Sequence, residues 1–139
     1  MIDYPIKSFR RLFQYCGMSR SINFKKCNRN DINAMSYMFH RCISLKELKF
    51  NHFNTSNVTD MGGMFSECYS LEKLNLKNFN TNNVTNMSYM FSGCSSLKEL
   101  NLDNFNTSNV TRMKVMFSNC SSLKELNLDY FNTNNVTTM

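Results

Sequence analysis

The sequence predicts an α/β fold: a single right-handed solenoid of 26-residue strand-loop-helix coils with a parallel sheet on one face. Three observations predict it. Methionines stand at Met35, Met61, Met87, Met113 and Met139, and the same step of 26 joins Phe39, Phe65, Phe91 and Phe117, and Cys42, Cys68, Cys94 and Cys120. Within one copy, Val58, Met61, Met64, Phe65 and Cys68 follow helical spacing. Leu71, Leu74 and Leu76 then form Leu-x-x-Leu-x-Leu, whose last part alternates like a strand. Self-similarity at this period marks a stack of supersecondary units, each of which cannot bury its apolar face alone. At 139 residues, 42% hydrophobic and 19% charged, the chain has the size and composition of one globular domain.

The N-terminal element is a degenerate copy. Phe9, Leu12, Phe13, Cys16, Ile22, Phe24 and Ile32 fall on the repeat columns, while Ser19 stands in the first Leu column and Cys27 in a Phe column. Residues 1–34 therefore read as an N-terminal cap, and 35–139 as four repeats that end at the start of a further coil. Charge separates the two parts. The net charge is +6, yet residues 1–34 hold seven bases and two acids against nine and eight in the remainder. The basic character belongs to one end, so no nucleic-acid groove along the chain is expected.

Each coil then opens on a polar run such as Asn54-Thr55-Ser56-Asn57, which offers helix N-caps, with Asp60 near the positive end of the helix dipole. A short amphipathic helix over 58–68 is expected to bury its Met, Phe and Cys stripe. Nine of the eleven methionines occupy the two columns that begin at Met35 and Met38, which places them in the core rather than in an adaptable binding groove. Asn54, Asn80, Asn106 and Asn132, with Thr55, Thr81, Thr107 and Thr133 and a second column of Asn57, Asn83, Asn109 and Asn135, read as ladders that satisfy the backbone of neighbouring coils. The Asn-x-Ser/Thr triplets at Asn54, Asn57, Asn83, Asn86, Asn106, Asn109, Asn119 and Asn135 mostly follow from the repeat.

The unit at 83–107, Asn-Val-Thr-Asn-Met-Ser-Tyr-Met-Phe-Ser-Gly-Cys-Ser-Ser-Leu-Lys-Glu-Leu-Asn-Leu-Asp-Asn-Phe-Asn-Thr, resembles the repeat of the BspA-like leucine-rich-repeat proteins of bacterial surfaces. That repeat is found also in mycoplasma lipoproteins and some protists. The likeness covers residues 31–139 strongly and the cap weakly. It implies a leucine-rich-repeat-like solenoid and a role in adhesion or surface recognition, with no catalytic motif to transfer. A signal peptide, a lipobox and a wall anchor are not seen in the sequence, so the compartment stays open: surface or secreted as part of a longer exported protein, otherwise cytoplasmic.

Chemistry finds few candidates. Five of the six cysteines share one column, where consecutive coils set sulfurs about 4.7 to 4.9 Å apart with parallel Cα–Cβ directions ill suited to a disulfide. Buried free thiols are expected. No Cys-x-x-Cys occurs and the histidines are His40 and His52, so neither metal nor cofactor is expected. No Ser/His/Asp arrangement or phosphate loop supports an enzyme. The Arg10-Arg11 and Lys25-Lys26 pairs read as solvated cap surface, with an anionic surface as the competing target.

The surface that invites binding is the strand face. If Leu74 and Leu76 point inward, Lys73, Asn75 and Lys77 point out, and so do Glu47, Lys49 and Asn51; Glu99, Asn101 and Asp103; and Glu125, Asn127 and Asp129. These twelve are the candidate contacts for a protein or glycan ligand. Such alternation also keeps a sheet soluble without any ligand. The alternative function is an intracellular scaffold that associates end to end through its last coil.

Overall fold

The computed structural model describes residues 7–25, 27 and 29–139. Lys26, half of one basic pair, lies outside them. Strands β1 (Ser21–Phe24), β2 (Glu47–Phe50) and β3 (Lys73–Leu74) form a parallel sheet in the order β1-β2-β3. Ser21 pairs with Glu47, and Glu47 with Lys73, so adjacent strands are offset by the sequence repeat itself. A bridge from Lys73 to Glu99 extends the ladder by one coil. A second column of parallel bridges runs along another edge, from Ser8 to Ala34, Asp60, Asn86, Arg112 and Thr138.

The strands shorten along the stack for a local reason. In the third and later coils, Asn75, Asn101 and Asn127 accept through Oδ1 from the N–H two residues ahead, on Lys77, Asp103 and Asp129. These Asx turns compete with the extended ladder. In β2 the same row holds Lys49, which has no acceptor to offer, and the strand runs on to Phe50. In β1 it holds Asn23, whose Oδ1 accepts instead from Asn51 Nδ2 of the next coil at 3.1 Å.

The expected helix is not formed. Among the described residues there is no α-helix, and the segment over 61–68 is a run of tight turns. Met61, Gly63, Phe65 and Glu67 donate their N–H to Asn86, Ser88, Met90 and Ser92 of the next coil. Met64, Ser66 and Cys68 donate three residues back, to Met61, Gly63 and Phe65. The same alternation recurs from Phe9 and from Met35. A helix would consume these N–H groups on its own carbonyls four residues back and leave the neighbouring coil unbonded. The alternation is built by left-handed residues four apart in each coil, at Arg11 and Tyr15, Tyr37 and Arg41, Gly63 and Glu67, Tyr89 and Gly93, and Val115 and Asn119. Tight turns still send Met61, Met64, Phe65 and Cys68 inward, all fully buried, which is why the spacing imitates a helix. Asp60 serves no helix dipole: its Oδ1 accepts from Gly62 N and from Asn86 Nδ2 at 2.8 Å.

The core is a set of ladders. Phe13, Phe39, Phe65, Phe91 and Phe117 stack with ring centroids 5.5 to 5.8 Å apart, in near-parallel planes. The repeat-column methionines are buried except Met139. Thr55, Thr81 and Thr107 are buried polar residues whose hydroxyls donate to the carbonyls of Asn80, Asn106 and Asn132 and accept from the same residues' N–H groups. Asn83, Asn109 and Asn135 reach back to the carbonyls of Ser56, Asn82 and Ser108. Phe9, Phe13, Cys16, Ile22, Phe24 and Cys27 of the first coil pack, partly buried, against this core.

Two predictions follow from these ladders. Thr81→Val keeps the volume and strands the Asn106 amide and carbonyl, so its denaturation midpoint should correspond to a loss of about 1 to 3 kcal/mol. Thr85→Val, at an exposed hydroxyl, should lose less. At the turns, Val115 is β-branched at φ 58, whereas Gly93 has φ 80 and its hypothetical Cβ would sit 3.2 Å from Glu67 Cα. Val115→Gly should therefore stabilise the fold by about 1 kcal/mol, while Gly93→Val should destabilise it by roughly 1 to 3 kcal/mol, both read from urea midpoints.

Candidate functional site

The alternation of buried leucines with outward polar residues leaves all twelve strand-face residues exposed. Glu47, Lys49, Asn51, Lys73, Asn75, Lys77, Glu99 and Asn101 line one open groove of 760 Å³, floored by Leu48, Phe50, Leu74 and Leu76. Asp103, Glu125, Asn127 and Asp129 lie beyond it. The polar walls are partly self-paired. Lys49 Nζ sits 3.1 Å from Glu47 Oε1, an exposed ion pair of little energetic weight. Asn101 Nδ2 donates to Asp103 Oδ2 at 3.0 Å. Because Asn75, Asn101 and Asn127 hold turns, the side chains left for a ligand in the groove are chiefly Glu47, Lys49, Lys73, Lys77 and Glu99.

A second concavity, of 350 Å³, was not singled out in the sequence. It is lined by Tyr15, Gly17, Arg41, Ile43, Glu67 and Tyr69. Residues 15, 41 and 67 form one row and 17, 43 and 69 the next, each residue one coil from its neighbour. Glu67 Oε2 accepts from Arg41 Nε at 2.8 Å and from Tyr69 Oη at 2.7 Å. The Tyr69 phenol, and then the Arg41 guanidinium, hold the Glu67 carboxyl below its ordinary range, and the carboxylate in turn raises the Tyr69 phenol. The signal was present as a departure from the repeat: the same two rows continue as Gly93 and Ser95, then Asn119 and Ser121.

The described basic residues of the first coil, Arg10, Arg11 and Lys25 among them, are exposed, with Arg11 over the Tyr37 ring at 5.7 Å. His40 Nδ1 lies 3.1 Å from the Ser66 carbonyl oxygen. Among the described residues no three His, Cys, Asp or Glu side chains gather as a metal site, and no helix is long and apolar enough to cross a membrane.

The cysteines are free thiols. Cys42, Cys68, Cys94 and Cys120 donate S–H to the carbonyls of Phe13, Phe39, Phe65 and Phe91 in the preceding coil. The column is a stacking ladder. Burial pushes the Cys42 thiol from an ordinary 9.0 up to about 11 and raises Cys68 and Cys94 further.

With the geometry in place, comparison with known proteins places the chain. A family model described as "Mycoplasma protein of unknown function, DUF285" matches residues 7–100 and 74–139. The chain belongs to that family of BspA-like repeats. For this DUF285 chain, no curated protein gives a match. A solved leucine-rich repeat protein from Eubacterium ventriosum is similar over 83% of this chain, at 16% identity and a TM-score of 0.42. The DUF285 chain spans 33% of that protein's length.

The thiol ladder makes stability depend on pH. Below pH 9 folded and unfolded chains both keep the Cys42 proton, and the native margin is complete. Between about pH 9 and 11 the unfolded thiol ionises while the folded one does not, so stability should fall as pH rises. Urea midpoints measured across that window should decline, and the slope should be shallower in Cys68→Ala.

Proposed function

We propose that this chain is a non-catalytic binding or adhesion module whose strand face meets a protein or glycan. The observation that carries the reading is the open 760 Å³ groove on that face, with acidic and basic side chains standing out from strands whose Leu and Phe side chains face the core. A groove of mixed sign over buried leucines suits a ligand that makes many modest contacts along a solenoid surface. In this reading residues 1–34 cap the stack, and the coils wind in the right-handed sense preferred by parallel crossovers.

Selection of a random peptide display library and a glycan array on the immobilised 139-residue chain tests it. Ligands enriched on the wild type should be lost when Lys73→Glu and Glu99→Lys are combined, because both side chains are exposed and neither carries a stacking bond. Ligands that bind the double variant undiminished would place the site elsewhere.

A second reading, an intracellular scaffold that self-associates, draws on the last coil. Leu128, Tyr130 and Met139 are exposed there. A second copy packed on that coil would cover these side chains. Sedimentation should then reveal concentration-dependent oligomers that Leu128→Asp disperses, and a strict monomer at high concentration would exclude the scaffold.

A further inference from the structure

We propose that the concavity between Tyr15 and Tyr69 is a binding site for a neutral saccharide. It uses no strand-face residue and is independent of the strand-face reading.

The repeat supplies an internal control. In a stack of near-identical coils, a side chain required by the fold recurs in its column, as the Phe, Met, Cys and Thr ladders do. The two rows here do not recur. One runs Tyr15, Arg41, Glu67, Gly93, Asn119 and the other Gly17, Ile43, Tyr69, Ser95, Ser121. Aromatic, aliphatic and charged groups are concentrated in the first three coils, and small or polar residues follow. Stacking explains only the Arg41–Glu67 ion pair among them, which joins two adjacent coils. Their exposure agrees, since Tyr15 is 62%, Ile43 49% and Tyr69 44% exposed. Tyr15, Arg41 and Glu67 also hold left-handed φ angles of 63°, 59° and 59°, where Gly93 shows that glycine fits the same fold.

The chemistry then selects the ligand. Tyr15 and Tyr69 stand at diagonal corners of a site two rows wide and three coils long, about 10 Å in extent from the strand spacing. Their faces suit the C–H faces of a pyranose ring. Gly17 contributes no side chain, which opens its corner above Ile43. In the middle, Glu67 has Oε2 occupied by Arg41 and Tyr69, so Oε1 remains an acceptor and the Arg41 Nη groups remain donors. Acceptor and donors side by side match vicinal hydroxyls, each of which both gives and takes a hydrogen bond. The two charges neutralise one another, so a fully charged ligand of either sign meets a like charge. A neutral polyol with an apolar face satisfies every lining group, and 350 Å³ lies at the small end of ligand sites.

Saturation-transfer-difference NMR on the 139-residue chain tests the proposal, with maltotriose, chitotriose and galactobiose as neutral probes and a chondroitin sulfate tetrasaccharide as the charged comparison. Transfer from tyrosine ring protons to at least one neutral sugar is expected. Tyr15→Ala and Tyr69→Ala should each weaken that binding about tenfold, the equivalent of about 1.4 kcal/mol. Tyr15→Phe, which keeps the ring, and Lys124→Ala, at an exposed residue outside both concavities, should leave it unchanged. Both tyrosines are exposed, and a melting temperature equal to that of the wild type separates loss of the site from loss of the fold. Absence of transfer to all three neutral sugars, binding that survives both alanine variants, or preference for the sulfated probe would overturn the proposal.

Discussion

The hydrogen bond that joins each coil to the next is the constraint on which the rest of this structure depends. It recurs around the whole coil: backbone to backbone at Phe65 and Met90, hydroxyl to backbone at Thr81 and Asn106, amide to backbone at Asn83 and Ser56, thiol to backbone at Cys94 and Phe65. All of these join groups 25 to 29 positions apart, and every one requires the same coil length. A single inserted residue would put all downstream ladders out of step. Repeat length is therefore held by chemistry at several points of the circumference at once, where a strand-only solenoid would hold it at one.

The same constraint divides the residues between fold and function. Inward columns are committed to stacking, and so are several polar columns that look available for binding, notably the Thr hydroxyls and the Asn amides. What remains free is the outward side of the strand row and the outward side chains at the left-handed turn positions. The two concavities lie there. The strand-face groove lies over residues committed to the core, and the walls of both concavities carry side chains that differ from coil to coil while the stack persists.

The repeat, its core columns, the thiol ladder, the Thr ladder and the Asn57 column were legible because each is an identity at fixed spacing with one physical use; the Asn54 column, expected to serve neighbouring coils, instead accepts through Oδ1 from N–H groups of its own coil. The turn segment was not. Steps of 3, 3, 1 and 3 report which side chains point inward, and consecutive tight turns satisfy that pattern as well as a helix does. What separates the two is the destination of alternate N–H groups, which leaves no mark in side-chain spacing. Glycine would have marked the left-handed positions, but it stands only at Gly63 and Gly93, while Arg, Tyr, Glu, Val and Asn fill the others. Side-chain carbonyls of Asn75, Asn101 and Asn127 accept from the N–H two residues ahead and end the strands, which outward-facing positions alone do not reveal. The Tyr15 to Tyr69 concavity leaves no mark in the shared columns because it lies where the copies disagree.

Scalar couplings across hydrogen bonds measure directly whether the turn segment bonds to the next coil rather than to itself. In a uniformly labelled sample the Phe65 amide nitrogen should couple to the Met90 carbonyl carbon, and the Glu67 nitrogen to that of Ser92. Coupling of Phe65 to the Met61 carbonyl, four residues back, would establish a helix in each coil and contradict this account.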